Sequence, residues 1–182
     1  SLLDCGLAVL ANQATNYLLG GKVPHRLGNA HPNIVPYQLF PASDGHLIIA
    51  CGNDRQFAAL CRVLGMADLA QQPDFATNPA RVANRDRLVP MLSGATARLC
   101  RADLIAALEG AGVPGGPVND VAEALADPQV AARGLQIAPE GIAGLRSPMQ
   151  FSRSPLVTER AAPALGEGEW RVNGVGVGGW AD

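Results

Sequence analysis

The stretch LGNAHPNIVPYQLFPASDGHLIIACGNDRQFAALCRVL, Leu27 to Leu64, decides how the rest of the chain is read. It runs turn, strand, turn, strand, helix. Pro32 and Pro36 hold the entry extended, because a proline fixes its own φ and biases the preceding residue away from the helical region. Tyr37 to Phe40 is a short strand. Ser43-Asp44-Gly45 is a turn, with glycine where a positive φ is needed. Leu47 to Cys51 is an unbroken apolar run, which predicts a strand covered on both faces. Gly52-Asn53-Asp54 breaks that strand and offers a helix N-cap. Phe57, Leu60, Cys61 and Leu64 follow at helical spacing, and Gly65 ends the helix.

Outward on the N-terminal side, Leu2 to Leu19 has few breakers and reads as one helix, with Asp4 at its start and Leu7, Leu10, Ala14 and Leu18 as its apolar face. Gly20-Gly21 ends it, and Lys22 to Gly28 is a polar connection. On the C-terminal side, Asn78-Pro79 reads as a cap followed by a proline at the first helical position. A helix is expected over Arg85 to Leu99, with Leu88, Val89, Leu92, Ala95 and Leu99 as its inner stripe. Pro90 within it marks a kink or a later start. Ala102 to Ala111 is a further helix with Leu104, Ile105 and Leu108 inward, ended by Gly112. Val113 to Val118 reads as a rigid loop carrying two prolines. Asn119 or Asp120 caps a helix through Leu125, and Asp127-Pro128 starts a short one ending at Gly134. Leu135 to Ala138 is a strand candidate, and Leu145 to Phe151 an extended segment. From Gly168 to Asp182 the chain is glycine-rich without periodicity and reads as an irregular tail.

The whole chain has 182 residues, 48% hydrophobic, so it can build a core for one domain or one and a half. Its net charge of -2, with no basic run, argues against nucleic acid as a partner. No apolar run approaches the roughly 18 residues of a membrane span. The start SLLDCGLAVLA lacks the basic flank of a signal peptide. Ser1 stands where an initiator methionine would, which points to a processed chain or one cut from something longer. Cys5, Cys51, Cys61 and Cys100 show no C-x-x-C pairing and read as buried free thiols of a reducing compartment. His25, His31 and His46 lack metal-ligand spacing, so no metal site is expected. Gly20-Gly21 and Gly115-Gly116 fit neither phosphate-cradling glycine motif.

Several of these segments, in this order, resemble the family III CoA-transferases of the CaiB/BaiF type. That group includes formyl-CoA and carnitine CoA transferases, with α-methylacyl-CoA racemases as relatives. The resemblance rests on SLLD at Ser1 to Asp4, on RLGNAHPNIVPYQLFPASDGHLIIACGNDRQF at Arg26 to Phe57, on FATNPARVANRD at Phe75 to Asp86, and on AGVPGGPVNDVAEALADPQVAARG at Ala111 to Gly134. It covers roughly Ser1 to Gly166, ending near Leu165-Gly166-Glu167, where family members continue into a helix.

The resemblance implies roles. Asp4 matches the family's aspartate nucleophile, whose carboxylate attacks an acyl-CoA thioester and passes through a mixed anhydride to an aspartyl-CoA. A helix N-terminus suits that role, and equally suits a plain N-cap. Asp54 matches an acidic residue lining the acyl-CoA pocket in the racemase relatives, or caps the following helix. Asn29, His31 and Asn33 cluster before the hairpin as substrate-binding candidates or ordinary loop formers. Gly115-Gly116 either admits a ligand closely or makes a turn.

The expected fold is α+β, with the family's Rossmann-like large domain mostly absent. Residues 1–36 form a helix and crossover of that large domain, 37–138 a small α+β domain, and 139–182 a return segment and tail. The expected activity is CoA transfer between an acyl-CoA and a carboxylic acid. One alternative is racemase-type proton exchange, for which no family-matched histidine is present. Another is a truncated, non-catalytic dimerising or binding module. No tightly bound cofactor is expected, with coenzyme A or acyl-CoA as substrate. The resemblance further implies a homodimer; the cysteine pattern points to the cytoplasm, and charge and hydropathy to no nucleic-acid or membrane partner.

Overall fold

The computed structural model describes residues 1–163, 170–172 and 175–177. They form two compact units, Ser1–Val118 and Asn119–Asp182.

The first unit is a mixed α+β fold. Helices α1 (Leu2–Val9) and α2 (Asn12–Gly20) precede strands β1 (Tyr37–Ala42) and β2 (Gly45–Ala50). Helix α3 (Asp54–Val63), a single-turn 3-10 segment (Ala67–Gln71), and helices α4 (Asn78–Ala83), α5 (Arg85–Thr96) and α6 (Arg101–Gly110) follow. Strand β3 (Gly115–Pro117) closes the unit.

The hairpin forms where the turn chemistry placed it. Tyr37 pairs with Ala50 and Ala42 with Gly45, and Gly45 takes φ 154°. The entry expected to be extended is instead a run of bends, with the Val35–Pro36 peptide cis. Strand β2 is not sealed on both faces. Leu47 and Ile49 are buried while Ile48 and Ala50 are half-buried, so its apolar run conceals an ordinary alternation.

The segment read as a rigid proline loop contains the third strand. Gly115 pairs with Ile49, Gly116 with Ile48 and Pro117 with Leu47, giving the antiparallel order β1-β2-β3. Proline is tolerated there because β3 is an edge strand. A Cβ on Gly115 would stand 3.0 Å from the Ile48 carbonyl oxygen and 3.2 Å from Leu108 Cδ1. That glycine therefore suits the close packing of α6 over the sheet, and it lies in a strand, not a turn.

The core lies between the sheet and helices α3, α5 and α6. Phe40, Leu47 and Ile49 from the strands meet Phe57, Leu60, Leu88, Leu92, Leu104 and Leu108. Val89 is half-buried and Leu99 is exposed beyond the end of α5, so the inner stripe of that helix is narrower than expected. Pro90 sits inside α5 without delaying its start. Thr77, not Asn78, caps α4 and leaves Pro79 one position further in. Asp44 of the hairpin turn accepts a hydrogen bond from the Arg101 N–H at 2.7 Å, which supplies α6 with the cap that Cys100 lacks.

The single N-terminal helix expected over residues 2–19 is two helices. They are broken at Ala11, which adopts φ 46°. Neither buries any residue: Leu2, Leu7, Leu18 and Leu19 are all exposed. Cys5 and Cys100 are likewise exposed, against the expectation of four buried thiols, whereas Cys51 and Cys61 are buried.

In the second unit, Asp120 and Glu123 form a reciprocal capping box on α7 (Val121–Leu125), and Asp127 caps α8 (Pro128–Ala132). Strands β4 (Gln136–Ile137) and β5 (Gly144–Leu145) pair antiparallel, so the extended segment predicted from Leu145 begins one residue earlier and is shorter. Within the supposed irregular tail, β6 (Trp170–Val172) and β7 (Val175–Val177) also pair. Leu165-Gly166-Glu167 lies outside the described residues.

Candidate active site

Asp4 stands in the first turn of α1. Ser1 is the N-cap: its hydroxyl accepts from the Asp4 N–H, and the Asp4 carboxylate accepts in return from the Ser1 nitrogen at 3.2 Å. Asp4 is thus the third helical residue of a capping box, not the cap itself. Its side chain is 77% exposed.

Asn29, His31 and Asn33 occur together in the loop entering β1. The Asn29 side-chain oxygen Oδ1 accepts from the Leu39 N–H at 2.8 Å, tying the loop to the strand it precedes. The His31 ring stacks on Tyr37 with centroids 5.3 Å apart, and its Nδ1 accepts from the Asn33 N–H at 3.1 Å. The Asn33 amide donates to Asn16 of α2 at 2.9 Å. A cavity of about 330 Å³ is lined by Asn16, Lys22, His25, Pro32 and Asn33, so α2, the crossover and the loop share one concave surface. Its lining carries the Lys22 cation and several amides but no carboxylate.

Asp54 is the first residue of α3, and its neighbour Asn53 is the cap, accepting from the Gln56 N–H at 2.9 Å. One Asp54 oxygen accepts from Arg81 at 2.8 Å, while the carboxylate stays 54% exposed. The guanidinium of Arg81 is wholly buried. Nε donates to the Val35 carbonyl at 2.6 Å and Nη1 to that of Phe75 at 2.9 Å, and the group lies 4.4 Å over the Phe57 ring. Arg81 therefore connects the end of the Asn29–Val35 loop to Asp54.

Asn78, Arg81 and Arg85 were not singled out as site residues from sequence. All three carry the loop, and their spacing of three and four residues in NPARVANR was the available signal. Arg85 donates to the carbonyls of His31 and Pro32 at 2.7 and 3.1 Å. Burial pushes its guanidinium below its usual pKa, against the charge of neighbouring Asp86. Among the described residues, no cluster of His, Cys, Asp or Glu could hold a metal ion, and no helix is long and apolar enough to cross a membrane.

The chain belongs to CoA-transferase family III, whose model matches residues 1–169. It is 48% identical over 177 residues to the succinate–glutarate CoA-transferase of Agrobacterium fabrum, covering 94% of this chain and 44% of that protein. Against the human succinyl-CoA:glutarate CoA-transferase it is 36% identical, covering 92% and 39%. The crystal structure of a CaiB/BaiF family protein from Brucella suis superposes with a TM-score of 0.80 at 53% identity, over 92% of this chain and 44% of that one. The chain thus spans less than half the length of the relatives it matches.

Proposed function

We propose that this chain carries the nucleophile and part of the substrate surface of an enzyme that moves CoA from an acyl-CoA to a dicarboxylic acid. The observation that supports this most strongly is the 48% identity, along nearly the whole chain, to a succinate–glutarate CoA-transferase. In this reading an Asp4 oxygen attacks the thioester carbonyl and CoA leaves as the thiolate. The thiolate then attacks the aspartyl carbonyl of the mixed anhydride and releases the donor acid. The aspartyl-CoA formed is attacked by the acceptor carboxylate, which expels the thiolate, and the thiolate takes the acyl group and frees Asp4. The cation and amides of the cavity beside Asn33 suit an anionic substrate. The exposed Asp54 carboxylate and the Asn29–Asn33 loop complete the substrate-facing set. Coenzyme A is a substrate here, and no tightly held cofactor enters the reaction.

The division into a large-domain segment over residues 1–36, a small domain over 37–138 and a return segment over 139–182 belongs to this proposal. So does assembly as a homodimer. The leucines of α1 and α2 form an apolar face that a monomer of this size rarely leaves bare. A cytoplasmic setting accords with four unpaired cysteines. A second reading, a non-catalytic dimerising or binding module, draws support from the solvent-exposed position of Asp4. Mass spectrometry after incubation with succinyl-CoA separates the two. A CoA adduct on Asp4 that is lost in Asp4→Ala establishes transfer, and its absence at every concentration favours the module.

A further inference from the structure

The loop from His31 to Val35 is held by side chains instead of by a strand ladder. Arg85 bonds the carbonyls of His31 and Pro32. Asn78 donates to the Asn33 carbonyl at 2.8 Å and accepts from the Val35 N–H at 3.1 Å, and Arg81 bonds the Val35 carbonyl. Backbone groups in a partly buried loop need such partners, and Pro32 has no N–H to contribute to a ladder. A guanidinium is a planar, pre-organised donor, so it sets the positions of the carbonyls it bonds. Arg81 cannot yield, because Asp54, Phe75 and the Phe57 ring clamp it from other directions.

The shape of the loop in turn sets the His31 ring. Its Nδ1 accepts from the Asn33 N–H, so the neutral ring carries its proton on Nε2. That leaves the Nε2–H and the second hydrogen of the Asn33 side-chain amide, whose first goes to Asn16, as donors of the kind a carboxylate oxygen accepts. We propose that Asn78, Arg81 and Arg85 are positioning residues that fix these two donors for the carboxylate of the acceptor acid. The proposal rests on the loop being the substrate surface of a transferase.

The test is NMR on the whole chain, comparing wild type with Asn78→Ala, Asn78→Asp and Arg85→Gln, with glutarate as the probe. Asn78→Asp keeps the acceptor for the Val35 N–H but loses the donor to the Asn33 carbonyl. The Val35 amide is expected to exchange roughly tenfold faster in Asn78→Ala, the loss of about one hydrogen bond, and to stay near wild type in Asn78→Asp. In Asn78→Ala and Arg85→Gln the His31 ring nitrogens shift away from the single Nε2–H tautomer. The glutarate response of His31 and Asn33 shrinks in all three variants, while the core amides of Ile49 and Leu60 keep their protection. Loss of core protection in step with the loop would show ordinary structural support and overturn the proposal. So would a wild-type glutarate response that survives unchanged in every variant. Silence of the wild-type loop toward glutarate removes the substrate reading of the loop, and the proposal with it.

Discussion

The carboxylate of Asp54 meets the guanidinium of Arg81 at 2.8 Å, with the arginine sealed from solvent and the aspartate half exposed. The pair joins the start of α3 to α4, and Arg81 reaches on to Val35 and Phe75. Replacing Arg81 with methionine fills much of the volume but leaves two carbonyls without their donor. Each unmet buried group costs about 1–3 kcal/mol, so Arg81→Met should lose about 3 kcal/mol in urea denaturation. Asp54→Asn should lose less, because the amide oxygen can still accept from Arg81.

Gly115 lies where β3 passes under α6. An alanine there pushes its methyl group against the Ile48 carbonyl and Leu108, and a carbonyl of the ladder cannot move aside without breaking its pairing. Overpacking of this kind costs about 1–3 kcal/mol, and thermal unfolding of Gly115→Ala should show it. Gly116→Ala, one residue on, meets nothing within 4 Å and serves as the control.

Burial pushes the thiols of Cys51 and Cys61 up to about 12 and about 11. At pH 8, iodoacetamide should therefore label Cys5 and Cys100, with Cys51 and Cys61 reacting only on unfolding. The linkage has a definite sign. Between the ordinary thiol value of 9.0 and about 11, the unfolded chain releases protons that the folded chain keeps. Stability should be unaffected by these thiols below pH 9 and fall as pH rises through that window. Cys51→Ala with Cys61→Ala should flatten the fall.

The N–H of Arg101 holds the Asp44 carboxylate below its ordinary value, the Cys100 thiol adding a weaker bond. A depressed carboxylate stabilises the fold above its unfolded value of 3.8, and the contribution disappears as pH falls through the lower folded value. Asp44→Ala should therefore melt below wild type at pH 7, and the difference should close as pH drops below 3.8. A gap that persists unchanged in strong acid would show that Asp44 does not act through its charge.

The elements legible in the sequence were those specified by neighbouring residues. The hairpin turn at Asp44-Gly45, the start of α3 after Asn53 and the helix cap at Asn119 or Asp120 each depend on groups within a few positions of one another. A cap or turn is a contact of short range, so the order of residue types contains it. The family resemblance drew attention to Asp4 and Asp54 as candidates. Asn29, His31 and Asn33 were legible as a polar cluster, but their bonding was not.

What only the tertiary structure decided involves residues far apart. Arg81 bonds Val35 across 46 positions and Asp44 caps α6 across 57, distances over which no local pattern reports a partner. A sequence reading places arginine at the surface, since a charge is rarely buried without partners, and here the partners come from three separate segments. Strand β3 looked like a loop because Gly-Gly-Pro has low strand propensity, and it becomes a strand because the edge of β2 and the side of α6 leave it one place to lie. The apolar spacing over residues 2–19 specifies helix, yet it contains neither the break at Ala11 nor the exposure of the face it creates. Periodicity states which residues share a side, and only the packed chain determines whether anything covers it.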